Sequence, residues 1–210
     1  MRKVILLMLF ITTITNAQEY KLEQKTVTGV FEIKEKTKAE IFASINKWVS
    51  INYNSVKNVV QMNDLESGTI IIKGINEVMH KNPLKIIYPN LVAEFNTTKF
   101  NHLIEVNVKD NKFRIIYKLL EIYMVDATVI NDSKMISVNL DGSRKAEVEE
   151  YMVLMEESFK KAYKNKEKRE KLLEAYRLSF EEINTSLKND IKATMQSIEK
   201  SVSEVTKDKW

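Results

Sequence analysis

Neither glycine nor proline occurs after Gly142, although four glycines and two prolines punctuate the stretch from Gly29 to Gly142. The strongest helix breakers are therefore missing from the last third of the chain, which leaves helix as its least contested conformation. The apolar spacing agrees. Val148, Tyr151, Met152, Met155, Phe159 and Tyr163 share one helical face, with Glu147, Glu149 and Glu150 placed to favour the amino end of the helix dipole. A charged run, Lys160–Lys171, follows. A second stripe then passes through Leu173, Tyr176, Phe180, Ile183, Leu187, Ile191, Met195, Ile198, Val202 and Val205. Its mean spacing of about 3.6 residues is that of a straight helix, so no long supercoil is demanded. The pattern allows both one continuous helix and a break near Asn165.

The first two-thirds read differently. Val27, Gly29, Phe31 and Ile33 alternate with their neighbours as in a half-buried strand. Thr37 and Glu40 have the spacing of a capping box, and Ile41, Phe42, Ile45, Trp48 and Val49 then mark an amphipathic helix reaching about Tyr53. Val59–Asn63, a turn over Asp64–Gly68, and Thr69–Gly74 read as strand, turn, strand. Asn76–Lys99 holds both prolines and has weak periodicity, so a long loop is expected there, with room for a short strand near Leu91–Phe95. Phe100–Lys109 alternates cleanly, Asp110-Asn111 is a tight-turn pair, and a returning strand runs from Lys112 to about Val125. Met135–Leu140 can add one more strand. The chain is therefore expected to be α+β, an antiparallel sheet with helices on one face, followed by a long C-terminal helical region.

The amino terminus supplies an address. Arg2 and Lys3 precede an apolar run from Val4 to Ile14, and Thr15-Asn16-Ala17 closes it with small residues at the positions a signal peptidase inspects. The run is short for a bilayer span, so a secretory signal cut after Ala17 is expected in preference to an uncleaved anchor or buried helix. Export to the periplasm or the medium follows from that reading. Residues 1–17 are then the signal, 18–142 the α+β domain and 143–210 the helical region.

Charge gives little further direction. Lys and Arg total 33 against 29 acidic residues, and Arg2 and Lys3 would leave with the signal. A mixed surface of this kind does not have the clustered positive charge of a nucleic-acid binder, so no nucleic-acid partner is expected. With no cysteine, disulfides and thiolate metal sites are impossible.

The segment from Thr26 to Ile122 resembles a family of exported bacterial domains of unknown function with a TATA-binding-protein-like (TBP-like) fold. The residues that carry the resemblance are Val30-Phe-Glu-Ile33, Ile45-Asn-Lys-Trp48-Val49, Val59-Val-Gln-Met-Asn-Asp64, Glu66-Ser-Gly68, Ile72-Lys-Gly74 and the hairpin Val106 to Arg114. The resemblance implies a curved antiparallel sheet in β-α-β(n)-α order with helices packed on one face. It supplies no catalytic or binding residues. Asn76–Lys99 looks longer than the family pattern, and Met135–Trp210 has no clear counterpart.

His80 and His102 are the only histidines; His102 shares strand parity with Ile104 and Val106, as a core or edge residue would, and His80 falls in the expected loop. No HExxH, phosphate-cradling glycine loop or GxSxG occurs. Asp64 and Glu66, like Asp110 and Asp141, suit turns better than a carboxylate pair. Trp48, Phe42 and Tyr53 suit a core better than a ligand platform. The cationic run at Lys160–Lys171 is read as a solvated helix face or junction, with contact to an anionic envelope surface as the alternative.

No catalytic residue, cofactor or metal is thus expected. The reading is a non-catalytic envelope protein acting as a binding or assembly module, with a scaffold built on helix-mediated oligomerisation, or an enzyme with an unrecognised site, as alternatives. A helix from Leu172 to Val205 would be about 50 Å long, against a radius of gyration of about 13 Å for a hundred-residue domain. The candidate partner-contact face is therefore the stripe Leu173, Tyr176, Phe180, Ile183, Leu187, Ile191, Met195, Ile198 and Val202, for a second copy, another protein or a membrane interface. The competing arrangement folds this helix back near Asn165 onto the chain's own sheet and first helix.

Overall fold

The computed structural model describes residues 20–124 and 140–204. The signal, the strand expected at Met135–Leu140 (apart from Leu140) and Val205 lie outside the described residues. Strands β1 (Tyr20–Glu23), β2 (Thr26–Glu32), β3 (Val60–Asp64), β4 (Thr69–Lys81), β5 (Phe95–Lys109) and β6 (Lys112–Met124) form one antiparallel sheet in the order β1-β2-β6-β5-β4-β3.

Period-two alternation sends one set of side chains from every strand to the same face. Val27 and Phe31, Ile70, Ile72 and Val78, Ile104, Val106 and Val108, and Phe113, Ile115 and Tyr117 are all buried there. Phe31 stacks on Phe113 with ring centroids 4.9 Å apart, which fixes β2 against β6.

Two helices cover that face. Helix α1 (Lys38–Asn52) starts where the sequence placed it: the Glu40 amide donates to Thr37 Oγ1 at 3.3 Å, and the Thr37 amide donates to Glu40 Oε2 at 2.8 Å. The β5–β6 turn adds a second cap, because Asp110 Oδ1 accepts from the Lys38 amide at 2.7 Å. Ile41, Phe42, Ile45, Trp48 and Val49 form the buried stripe of α1. A single helical turn, α2 (Val56–Val59), leads into β3.

The C-terminal region is two helices, α3 (Lys145–Ala162) and α4 (Lys166–Ser203). The chain breaks between them, where Asn165 accepts from the Lys168 amide at 3.0 Å and Arg169 donates to the carbonyls of Tyr163 and Lys164 at 2.8 and 2.9 Å. Most of the cationic run is spent here. Lys160, Lys166 and Lys171 pair with Glu156, Glu170 and Glu167 within the same helices.

Helix α4 then crosses the sheet beside α1, with Trp48 Nε1 donating to Ser197 Oγ at 2.9 Å. Lys36 donates to the carbonyls of Val202 and Glu204 and so caps its carboxyl end.

The long loop expected over Asn76–Lys99 is much shorter in the structure. β4 continues to Lys81 and β5 begins at Phe95, leaving thirteen residues between them, four of which form a 3₁₀ turn (Pro83–Ile86). The alternation survives in this stretch, carried on the core side by polar residues: Asn76, His80 and Thr98 beside Val78 and Phe100. A hydrophobic period cannot register strands whose inward positions are amide, imidazole and hydroxyl.

Candidate functional site

The expected partner-contact stripe is mostly internal. Ile183, Leu187, Ile191, Met195, Ile198 and Val202 are buried in the main core against the sheet and α1. Leu173, Tyr176 and Phe180 are half-buried, and Tyr176 and Phe180 belong to a run of aromatic contacts with Phe159 and Tyr151 of α3. The expectation that the stripe outruns its own domain is corrected by the strands. A fifteen-residue strand spans about 50 Å, so the sheet is long enough to receive the second half of α4, while α3 receives the first.

The chemically capable groups are also committed to the fold. His80, near the end of β4, meets the first half of α4: Ser179 Oγ lies 2.8 Å from Nδ1 and Thr98 Oγ1 lies 3.0 Å from Nε2. The adjacent Lys81 amide donates to Glu182 at 3.0 Å. All three members of this serine–histidine–threonine cluster are buried, and burial holds the imidazole below its ordinary pKa. The cluster has the residue types of a nucleophile site, and its hydrogen bonds clasp the sheet to the helix.

His102 is similar. Its ring lies 4.8 Å from that of Tyr117, and its Nε2 is 3.4 Å from Tyr53 Oη. A Cβ at Gly74 would come within 2.5 Å of that nitrogen, so only glycine leaves room for the imidazole. Burial lowers the His102 pKa to about 4 and raises that of Tyr53 to about 12. Tyr117 donates to Asn76 Oδ1 at 2.7 Å. Asp64 and Glu66 behave as turn residues: Asp64 Oδ1 accepts from the Glu66 amide at 2.9 Å.

What remains available is the other face of the sheet, which no helix covers among the described residues. Its half-buried centre is Ile71, Leu103 and Ile116, neighbours across the strands with Glu105 and Lys73 between them. Ile75 and Met79 are 60% and 64% exposed. Basic residues outnumber acidic ones here: Lys73, Lys99, Lys118 and Arg114 interleave with Glu77 and Glu105, and Glu77 is tied to Lys99 at 2.6 Å.

At the β5–β6 end this face dips into a hollow of about 240 Å³, lined by Val30, Asn107, Lys109, Lys112, Phe113 and Arg114. Arg114 donates through Nε and Nη2 to Asn107 Oδ1, at 3.1 and 2.7 Å. Asn107 in turn donates to Glu105 at 2.9 Å.

Comparison with known proteins fits this architecture. Residues 28–123 match a family model described as a domain of unknown function (DUF4468) with TBP-like fold. That segment is similar to a DUF4468 domain. It holds α1, α2 and β3 to β5, all but the ends of β2 and β6, and every residue of the hollow.

Among solved structures, a DUF4468 family protein from Bacteroides ovatus is 17% identical, with a TM-score of 0.40, covering 53% of this chain and 62% of that one. The chain thus spans less than two-thirds of the Bacteroides ovatus protein. A TBP-like protein from Parabacteroides distasonis is 16% identical, with a TM-score of 0.43, covering 85% of this chain and 95% of that one. No curated protein matches.

The hollow was missed in the sequence, although two of the segments that carry the family resemblance, Val30–Ile33 and Val106–Arg114, contain all six of its residues. Lys109 and Lys112 look like hairpin-end solubilising charges until the register sets them opposite one another.

Proposed function

We propose that this chain is an exported, non-catalytic binding or assembly module, and that the open face of its sheet docks a protein partner with an acidic surface. The observation that carries this reading is the contrast between the faces. One is filled by α1 and α4, and the other presents Ile75 and Met79 among lysines and an arginine with no helix over them among the described residues. Large apolar side chains kept at a surface amid one prevailing charge are the makings of an interface. The absence of turnover is supported by where the reactive residues went, since His80, His102, Thr98 and Ser179 are all spent on interior contacts. Export rests on the cationic start, apolar run and small-residue ending of residues 1–17.

A photo-cross-linking side chain at Ile75, expressed in the native cell, tests the docking claim, with one at the exposed Lys47 of α1 as control. A discrete adduct from position 75 and none from position 47 is expected. The same adducts from both positions, or none from either, contradicts it. Mass spectrometry of the native protein checks export separately: Gln18 is the expected first residue, and an intact Met1 would sink the claim.

A further inference from the structure

The hollow at the β5–β6 end of the open face holds positive charge that the fold does not use. In the β5–β6 register Lys109 sits directly opposite Lys112. Like charges at directly opposed positions destabilise a strand pair, and Arg114 adds a third cation one step further along the same face. Glu32 lies opposite Lys112 on β2, yet among the described residues none of the three cations forms an ion pair with a carboxylate.

The Arg114 side chain is nevertheless held in place. Two of its donors are fixed on Asn107 Oδ1, and the Asn107 amide is anchored on Glu105. The brace is an amide oxygen, so the guanidinium is oriented without being neutralised. Its remaining N–H groups have no acceptor among the described residues and can take a second one, and two lysines line the same hollow. A planar fork braced in this way suits the oxygens of a carboxylate or phosphate, and its ordering cost is already met in the folded protein. Val30, exposed on β2 beside Arg114, supplies an apolar surface for the carbon adjoining such a group.

We propose that this hollow is an oxyanion-binding site in which Arg114, braced by Asn107, makes the directional contact and Lys109 and Lys112 supply the field. It rests on the reading of the open face as a binding surface and names the chemistry at one end of it. The ligand is a compact group bearing a carboxylate or a phosphate, either as a small molecule or displayed by the docked partner.

The test is a solution NMR titration of the isotopically labelled chain beginning at Gln18, at low ionic strength, with inorganic phosphate in one series and succinate in the other. Saturable shifts confined to the amides around Val30, Asn107 and Arg114 are expected from at least one anion, and the tighter of the two names the source. Arg114→Lys keeps the charge and loses the fork, so affinity is expected to fall about tenfold or more. Asn107→Ala keeps every charge and removes the brace, and a several-fold loss is expected. Lys47→Ala, exposed on α1 and away from the open face, is expected to leave the affinity unchanged.

Shifts that spread over all the lysine-bearing strands without saturating, or an Arg114→Lys variant that binds as well as the parent, would overturn the proposal by reducing it to diffuse attraction. The two claims fail separately. Loss of the oxyanion site with cross-linking at Ile75 intact removes only this inference, and oxyanion binding without any adduct at Ile75 removes only the protein-docking reading.

Discussion

The two faces of this sheet are built from the same strands, residue by alternate residue, and they have different fates. Ile104, Val106 and Val108 of β5 point into a core completed by Ile183, Leu187, Ile191 and Met195 of α4 and Ile41, Ile45 and Val49 of α1. Leu103, Glu105 and Asn107, the residues between them, point the other way onto a surface of mixed apolar and charged groups. The same contrast separates apolar residues of one class. Ile72 is fully buried, while Ile75, three positions on, is largely exposed. Burial of an isoleucine contributes about 1.5–3 kcal/mol, so the first face explains why the chain folds. The second face contributes little to stability and is where selection for contact with something else can act.

Substitutions can break this contrast if it is wrong. On the covered face, Trp48→Ala removes an indole that packs in the core and donates to Ser197 on α4. Urea unfolding is expected to show a loss of about 3–5 kcal/mol. Leu187→Ala, in the half of α4 that seals the sheet, is expected to cost about 2–5 kcal/mol. A loss near zero at Leu187 would mean that α4 does not belong to this core. Gly74→Ala forces a Cβ against the His102 imidazole, and a cost of about 1–3 kcal/mol is expected from overpacking.

Acid sharpens the same point, because the covered face contains His102. Its folded pKa of about 4 lies below the ordinary value of about 6.5. The unfolded chain therefore takes up a proton over a range in which the folded chain does not. Stability from this residue is present above pH ~6.5 and lost as pH falls toward ~4, by roughly 2–3 kcal/mol. His80, also held low by burial, acts in the same direction. A His102→Leu variant is expected to show a shallower fall in unfolding free energy between those pH values. An unchanged slope would place the acid sensitivity elsewhere.

Much of the covered face was legible in the sequence. Clean alternation in Phe100–Lys109, the capping box at Thr37 and Glu40, and the absence of breakers after Gly142 each express one local rule, and each element formed where that rule put it. β1 escaped notice because four residues are too few for a period to show. The extension of β4 and β5 escaped because Asn76, His80 and Thr98 hold inward positions by hydrogen bonding.

Those polar inward positions also hide from the sequence the length of sheet that receives the second half of α4. The candidate site was scarcely legible at all. Its three cations are ordinary surface residues in sequence, and only strand register brings Lys109, Lys112 and Arg114 around one hollow.

The smallest expected effect is the most decisive. A triple variant, Val30→Ser, Ile75→Ser and Met79→Ser, strips the most exposed apolar groups from the open face. Its urea unfolding curve, set against that of the parent chain, tests whether this face is held in reserve for a partner or is used by the fold. The account predicts an unfolding free energy within about 0.5 kcal/mol per site of the parent and the same slope, as for exposed positions generally. A loss of several kcal/mol would contradict it, since those side chains would then be part of the chain's own core.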